Sequence, residues 1–342
     1  MNLYAILRPI LFTLPPETAH RLSLSFLRLA SFLPPLRALM ERSFAAPSRP
    51  VRLFGLTFPN VLGLAAGYDK DAVAVSGLAA LGFGHIEIGT VTLRPQAGNP
   101  PPRLFRLVED QALINRLGFP SQGASRVAQR LIRLRRHRHN LPILGVNLGK
   151  NRTTPLEEAF QDYRALMHLF SPLADYLVIN ISSPNTEGLR RLQQAKKLHD
   201  LLGGLQKERQ GIPKAPPLLV KLSPDLEQHE LEEAIEVILD TGIEGVILTN
   251  TTLARPGLRS RHAAEQGGLS GAPLAERSRK MLSLVARKAG QRLGIISVGG
   301  IMSAAEAQRR LELGADLVQI YTGLIYQGPA LIAEILRAVA NS

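Results

Sequence analysis

The chain has 342 residues, enough for one large domain or two ordinary ones, and its 45% hydrophobic and 20% charged content describes a folded protein rather than a disordered one. It contains no cysteine, which excludes disulfides, thiolate-ligated zinc or iron–sulfur clusters, and any thiol nucleophile. A formal charge of +13 favours anionic partners (phosphates, carboxylates, nucleic acid or acidic lipid) or serves solubility alone.

In chain order, Leu3, Ile6, Leu7, Ile10, Leu11 and Leu14 recur on one helical face. Pro9 should kink that segment or start a fresh turn, and Pro15-Pro16 should break it. A second helix is expected over roughly 17–33, apolar on more than one face through Leu22, Leu24, Phe26, Leu27, Leu29, Phe32 and Leu33, with Arg21 and Arg28 interleaved. Pro34-Pro35 should end it. Residues 1–50 hold six arginines against two acids. Such a pair of helices either packs on its own domain or lies in a bilayer interface, apolar side down. The segment reads as an extension over 1–44, with "AAPSRP" (45–50) as a linker into a domain over 45–342. No window reaches the ~18 uncharged apolar residues of a membrane span, and the start lacks the basic region and cleavage site of a secretory leader. A non-exported chain without a spanning helix is expected.

Beyond residue 60, short apolar runs alternate with helical stretches: "VLGLAAG" (61–67), "HIEIGT" (85–90), "ILGVNL" (143–148), "YLVINIS" (176–182), "LLVKLS" (218–223), "GVILTN" (245–250), "GIISVGG" (294–300) and "LVQIYTG" (317–323). Near-continuous apolar strands joined through helices predict a parallel sheet covered on both faces. Eight such units predict an α/β fold, a (β/α)8 or TIM barrel with an N-terminal helical extension. An open doubly wound sheet is the alternative, although no G-x-G-x-x-G follows the first strand. The arginine-rich stretch "RLIRLRRHRHN" (130–140) reads as a solvated helix face rather than a nucleic-acid patch.

Barrel enzymes carry their chemistry at the C-terminal strand ends. The expected ends hold Lys70, Thr90, Asn147, Asn180, Ser183, Lys221, Thr249, Asn250 and Thr251, then Gly299-Gly300 and Tyr321-Thr322-Gly323. The last two groups suit a phosphate cradle of backbone N–H groups. The asparagine amides suit a planar ligand rich in ring N–H and C=O groups. No metal-ligand spacing occurs on these ends, so no metal is expected.

The strings "LGLAAGYDKD", "GFGHIEIGTVTLRPQAGNPPPRLFRL", "LINRLGF", "GVNLGKN", "INISSPNT", "VKLSPD", "TNTT", "GGLSG", "SVGGI" and "VQIYTGLIYQGP" occur in order over nearly the whole chain. They resemble dihydroorotate dehydrogenase of the membrane-associated, quinone-dependent class 2. The resemblance implies an FMN-dependent oxidoreductase that converts dihydroorotate to orotate in pyrimidine biosynthesis and passes electrons to a membrane quinone. It implies Ser183 as the catalytic base, where the cytosolic class uses cysteine. Flavin-contacting positions would be Ala66, Gly67, Tyr68, Asp69, Lys70, Thr90, Asn147, Asn180, Lys221, Thr249, Gly271, Gly300, Tyr321 and Thr322. Substrate-contacting positions would be Lys70, Asn115, Arg116, Leu117, Gly118, Phe119, Asn180, Asn185, Asn250 and Thr251. His20, Arg106 and Tyr321 match polar residues of the family's quinone tunnel. The implied setting is peripheral contact with an anionic membrane, on the cytoplasmic face of a bacterial inner membrane. Tyr68, Thr322 and Ser297 depart from the family's usual leucine, serine and glycine. The main rival is a flavin-dependent tRNA dihydrouridine synthase-like reductase, opposed by the missing cysteine and the lack of an RNA-binding tail; no nucleic-acid partner is expected. A cytosolic dihydroorotate dehydrogenase and a non-catalytic barrel at a membrane surface are further rivals.

Overall fold

The computed structural model describes residues 3–137 and 141–341. Positions 1 and 2 of the expected extension, positions 138–140 of the arginine-rich stretch and the last residue of the expected barrel domain lie outside the described residues.

The eight predicted strands all form. They are β3 (Leu62–Leu64), β4 (His85–Val91), β7 (Ile143–Leu148), β8 (Tyr176–Asn180), β9 (Leu218–Leu222), β10 (Gly245–Leu248), β12 (Gly294–Val298) and β13 (Leu317–Ile320). They pair in parallel and in chain order. β13 closes on β3 through Val318↔Leu62, Gln319↔Gly63 and Ile320↔Leu64, so the sheet is a barrel and not an open doubly wound sheet. Several strands are shorter than the runs that predicted them. The polar tails after β3, β8, β12 and β13 belong to the loops of one rim.

Two apolar clusters hold the barrel. Phe58, Val61, Ala65, Tyr176, Val178, Leu219, Ile247, Ile296, Val298 and Leu317 form one. The larger cluster lies between strands and surrounding helices. A hairpin unforeseen in the sequence, β1 (Val51–Leu53) with β2 (Leu56–Phe58), packs on the first cluster. It brings Phe54 beside Gly245 and Gly294, the first residues of β10 and β12, and so covers the N-terminal end. A second unforeseen element is an antiparallel sheet of β5 (Leu104–Leu107), β6 (Ala112–Asn115) and β11 (Gly268–Gly271), with Leu269 opposite Ile114.

The extension forms three helices rather than two: α1 (Leu3–Thr13), α2 (Pro16–Phe32) and α3 (Pro34–Ser43). Pro34-Pro35 ends α2 as expected but also opens α3, because proline is well accommodated in a first turn, where its missing N–H is not needed. Helix α1 continues through Pro9. Its body-facing side takes in only part of the apolar stripe, the half-buried Leu11 and Leu14. Tyr4 donates to the Ile325 carbonyl at 2.5 Å and Arg8 to the Tyr326 carbonyl at 2.9 Å, while Ile6, Leu7 and Ile10 face outward. Helix α2 sits tightly on the helix Val75–Ala79. Its Ser31 hydroxyl accepts the Gly77 N–H at 2.9 Å, and a Cβ on Gly77 would lie 2.0 Å from the Leu27 carbonyl oxygen. The helix Ala124–His137 buries Val127, Ala128 and Leu131 and exposes Arg133 and Arg136, as a solvated face should. Arg130 and Arg135 depart from that reading, tying to Gln122 and Asp175.

Candidate functional site

At the C-terminal strand ends the rim surrounds a cavity that is open to solvent at its mouth. Every barrel strand but β7 contributes through a residue at its C-terminal end or in the loop behind it. Gly67 and Lys70 follow β3, Thr90 lies on β4, Asn180 ends β8 with Ser183 and Asn185 behind it, and Lys221 lies on β9. Thr249, Asn250 and Thr251 follow β10, Gly299 and Gly300 follow β12, and Tyr321, Thr322 and Gly323 follow β13. The additional antiparallel sheet forms the remaining wall: Asn115, Leu117, Gly118 and Phe119 at the end of β6, with Ser270 and Gly271 on β11.

Ala66 also lines the cavity. Four predicted site residues do not. The Tyr68 ring points toward α2, where its hydroxyl is 3.2 Å from Ser23 Oγ. The Asp69 carboxylate accepts the Val73 and Ala74 N–H groups and shapes the turn into the helix Val75–Ala79. The Arg116 guanidinium turns to Glu265, 2.7 Å away, and stacks over Phe105. Asn147 stands one layer behind the wall. Its Oδ1 accepts from Thr90 at 2.6 Å and Asn180 at 2.9 Å, and its Nδ2 donates to Glu87 at 2.7 Å.

That layer contains a residue the sequence reading missed. Glu87, fully buried on β4, accepts from Asn147 and from Gln319 (2.8 Å), and lies 3.4 Å from Lys221 Nζ. Lys221 is therefore a buried cation with a fixed counter-ion beneath the cavity, not a lysine reaching for solvent. Isoleucines flank Glu87 in the sequence, and the clue was its spacing. His85, Glu87 and Gly89 alternate, and in a barrel strand every second residue points inward.

On the opposite wall the asparagines brace one another. Asn250 donates to Ser182 Oγ at 3.0 Å, and Asn185 donates to the Asn115 carbonyl at 3.0 Å and its Oδ1 at 3.2 Å. Ser183, 4% exposed, accepts the Asn185 backbone N–H on its Oγ at 3.2 Å. Lys70 donates to the Gly67 carbonyl at 2.7 Å. Burial pulls its ammonium down to about 8; Asp71 opposes that shift and Arg103 adds to it.

The three residues expected at a second site sit where the extension meets the barrel. The His20 ring stands edge-on to Tyr68, with centroids 5.0 Å apart, and Tyr68 continues to Tyr321 at 6.0 Å. Burial, aided by the charge on Lys70, pulls His20 to about 3, so the imidazole is neutral. Arg106 donates to the Phe12 carbonyl at 2.9 Å and lies over the Phe12 ring. Tyr321 thus touches both the cavity and the aromatic row leading to α2.

Residues 49–342 match the family model described as dihydroorotate dehydrogenase. The chain is 46% identical to the dihydroorotate dehydrogenase (quinone) of Halorhodospira halophila, across 99% of this chain and 98% of that protein. It is 50% identical to the protein of the same name from Dichelobacter nodosus, across 98% of each. The crystal structure of DHODH from Eimeria tenella in complex with ferulenol superposes with a TM-score of 0.89 at 36% identity, covering 97% of this chain and 94% of that one. With this coverage, the chain belongs to the dihydroorotate dehydrogenase family.

Proposed function

We propose that the protein oxidises (S)-dihydroorotate to orotate in pyrimidine biosynthesis, with FMN as the hydride acceptor and a membrane quinone as the final oxidant. One observation carries the reading. A hydroxyl without a histidine partner (Ser183), two lysines and four asparagines share one cavity, the far side of which is lined by Gly271, Gly299, Gly300 and Gly323. The cavity fits a flavin mononucleotide. Among the described residues the backbone N–H groups of Gly300, Thr322 and Gly323 donate to no protein acceptor, and the hydroxyls of Ser270 and Thr322 meet at 2.9 Å beside them, a donor set suited to a phosphate. Thr90, Asn180, Lys221 and Thr249 would hold the ring system.

FMN, when bound, supplies a two-electron acceptor for the hydride leaving C6 of the substrate. The chain does the rest. Lys70 binds the substrate carboxylate through a charge-assisted contact, and Asn115, Asn185, Asn250 and Thr251 orient the ring through its N–H and C=O groups. Ser183 takes the C5 proton, and Lys221 provides a fixed positive charge on the cavity wall. Purified protein should be yellow, bleach anaerobically with dihydroorotate and recover its colour with a quinone. A colourless preparation that FMN does not reconstitute sinks the reading.

Because burial pulls Lys70 to about 8, its charge is present below that pH and lost above it. KM for dihydroorotate should therefore climb between pH 8 and pH 9.5. Lys70→Arg, which holds its charge, should flatten the climb, and Lys70→Ala should raise KM by roughly 10- to 100-fold at neutral pH. A KM independent of pH in the native enzyme would remove Lys70 from this role. Initial rates over substrate concentration at each pH decide it.

The quinone would reach Tyr321 along the His20–Tyr68 row from the side of α1 and α2. Among the described residues no helix is long and apolar enough to cross a membrane. Yet Ile6, Leu7, Ile10, Leu22, Phe26, Leu29, Phe32 and Leu39 on the three N-terminal helices, and Leu33 between the last two, all stand exposed, Phe32 by 70%. Full burial of an exposed side chain of this size is worth about 1.5–3 kcal/mol, and these partly covered ones would gain a share of that on leaving water. Exposed Arg21 and Arg28 interleave on α2, so peripheral docking on an anionic bilayer fits this surface, with the cytoplasmic face of a bacterial inner membrane as the setting. Phe26→Ser with Phe32→Ser should cut flotation with anionic vesicles at least tenfold while dihydroorotate still bleaches the protein normally. Undiminished flotation would move the membrane contact elsewhere.

A further inference from the structure

The helix Ala304–Glu312, behind β12, carries an arginine that the catalytic reading does not use. Arg310 is fully buried. All five of its N–H donors have acceptors. Nε donates to Glu306 at 2.6 Å; one terminal nitrogen donates to Ser278 (2.7 Å) and Ser297 (3.1 Å); the other donates to the carbonyls of Gly299 (2.8 Å) and Ala275 (3.0 Å).

The last two partners matter most. Gly299 belongs to the glycine turn after β12, and Ala275 is the first residue of the helix Ala275–Ala289. These segments touch at the cavity: a Cβ on Gly300 would lie 2.4 Å from the Ala275 Cα. One planar guanidinium therefore fixes the spacing of the two backbone pieces from behind. It also contributes charge. Glu306 is shared with Arg279 at 2.7 Å, so two guanidiniums against one carboxylate leave a net +1 in the cluster. Ser297, where the family commonly has glycine, is one of the acceptors.

We propose that Arg310 is a positioning residue for the cofactor's phosphate: it holds the Gly299–Gly300 turn against Ala275 and places buried positive charge behind it. This rests on the FMN reading above, and the test separates the two. FMN and riboflavin differ only in the phosphate. Their affinities for the deflavinated full-length chain are read by flavin fluorescence for wild type, Arg310→Met, Arg310→Lys and Ser297→Gly. Arg310→Met should weaken FMN by roughly 10- to 100-fold, the scale of lost hydrogen bonds to a charged group, and leave riboflavin within about 3-fold. Arg310→Lys should recover part of the loss, and Ser297→Gly should lower the preference for FMN by about 3-fold. Equal losses for both flavins in Arg310→Met, or an undisturbed preference for FMN, overturn the assignment alone. Should Arg310→Met not fold, a wild-type preference in Ser297→Gly overturns it as well. A wild-type chain that binds the two flavins alike, or neither, overturns the cofactor reading and this assignment together.

Discussion

Ser183→Ala is expected to slow the anaerobic bleaching of the enzyme by dihydroorotate by about 10²- to 10⁴-fold, the range of a lost general base, while orotate still binds with near-native affinity. The asymmetry follows from the cavity wall. Binding contacts come from Lys70 and the asparagines, and Ser183 lies among them with one hydrogen bond of its own, accepted from the Asn185 N–H. That donated bond has two effects. It fixes the Oγ position, and it stabilises charge on the oxygen as the hydroxyl proton moves away. The same bond is what a serine in a tight turn makes for structural reasons alone, so its existence does not separate the two roles; the rate does. A hydroxyl is a weak base and must pass its own proton on, with buried Thr186 a candidate carrier. Ser183→Cys substitutes a group that ionises near 8.5, and should move the rise of the pH–rate profile to lower pH than in the native enzyme. Stopped-flow bleaching at pH 7 and again above pH 9 reads both effects. Near-native rates for Ser183→Ala at both pH values would leave Ser183 a turn residue.

The sequence made the barrel legible because strands buried on both faces have a local signature, a short apolar run that ends in polar residues. The rim followed, since the residues just past such runs must gather at one end. The failures share a physical cause. Proximity in sequence to a lining residue does not make a residue line the cavity, because neighbouring side chains in a turn diverge: Tyr68 and Asp69 lie between Gly67 and Lys70 yet turn to α2 and to the local turn. Arg116 turns away likewise, whereas Asn147 faces inward but lies one layer behind the wall, bonded to Thr90, Asn180 and Glu87. The β5–β6–β11 sheet could not be read locally, since Leu269 pairs with Ile114 across a long stretch of chain and each strand is four residues long. In α1 the periodicity was right and the orientation was not. Apolar residues usually mark the inner face, but here Tyr4 and Arg8 reach inward to backbone carbonyls, and Ile6, Leu7 and Ile10 stay outside. That inversion is what the proposed docking on a bilayer would require of the helix.

Lys221→Met is expected to lower both stability and turnover, and the two losses should separate when Glu87 is changed as well. With Lys221 gone, the fully buried Glu87 carboxylate keeps Asn147 and Gln319 as donors and loses its cation. Breaking a buried pair from one side costs about 3–5 kcal/mol, enough to lower the melting temperature by roughly 10 °C in a chain of this size. Glu87→Gln in the Lys221→Met background removes the stranded charge and keeps the side chain's shape, so most of the lost melting temperature should return. Turnover should not return with it. A fixed cation on the cavity wall is worth about 10²- to 10³-fold if negative charge develops beside it during the reaction, and an amide at position 87 cannot restore that. The double-mutant cycle measures the coupling directly, by calorimetry for stability and stopped flow for rate. A Lys221→Met chain as stable as wild type would mean that solvent reaches Glu87 and the pair does little structurally. A double variant that regains full turnover would mean that Lys221 matters only because it keeps Glu87 neutralised, and the positive charge assigned to the reaction would have to come from Lys70.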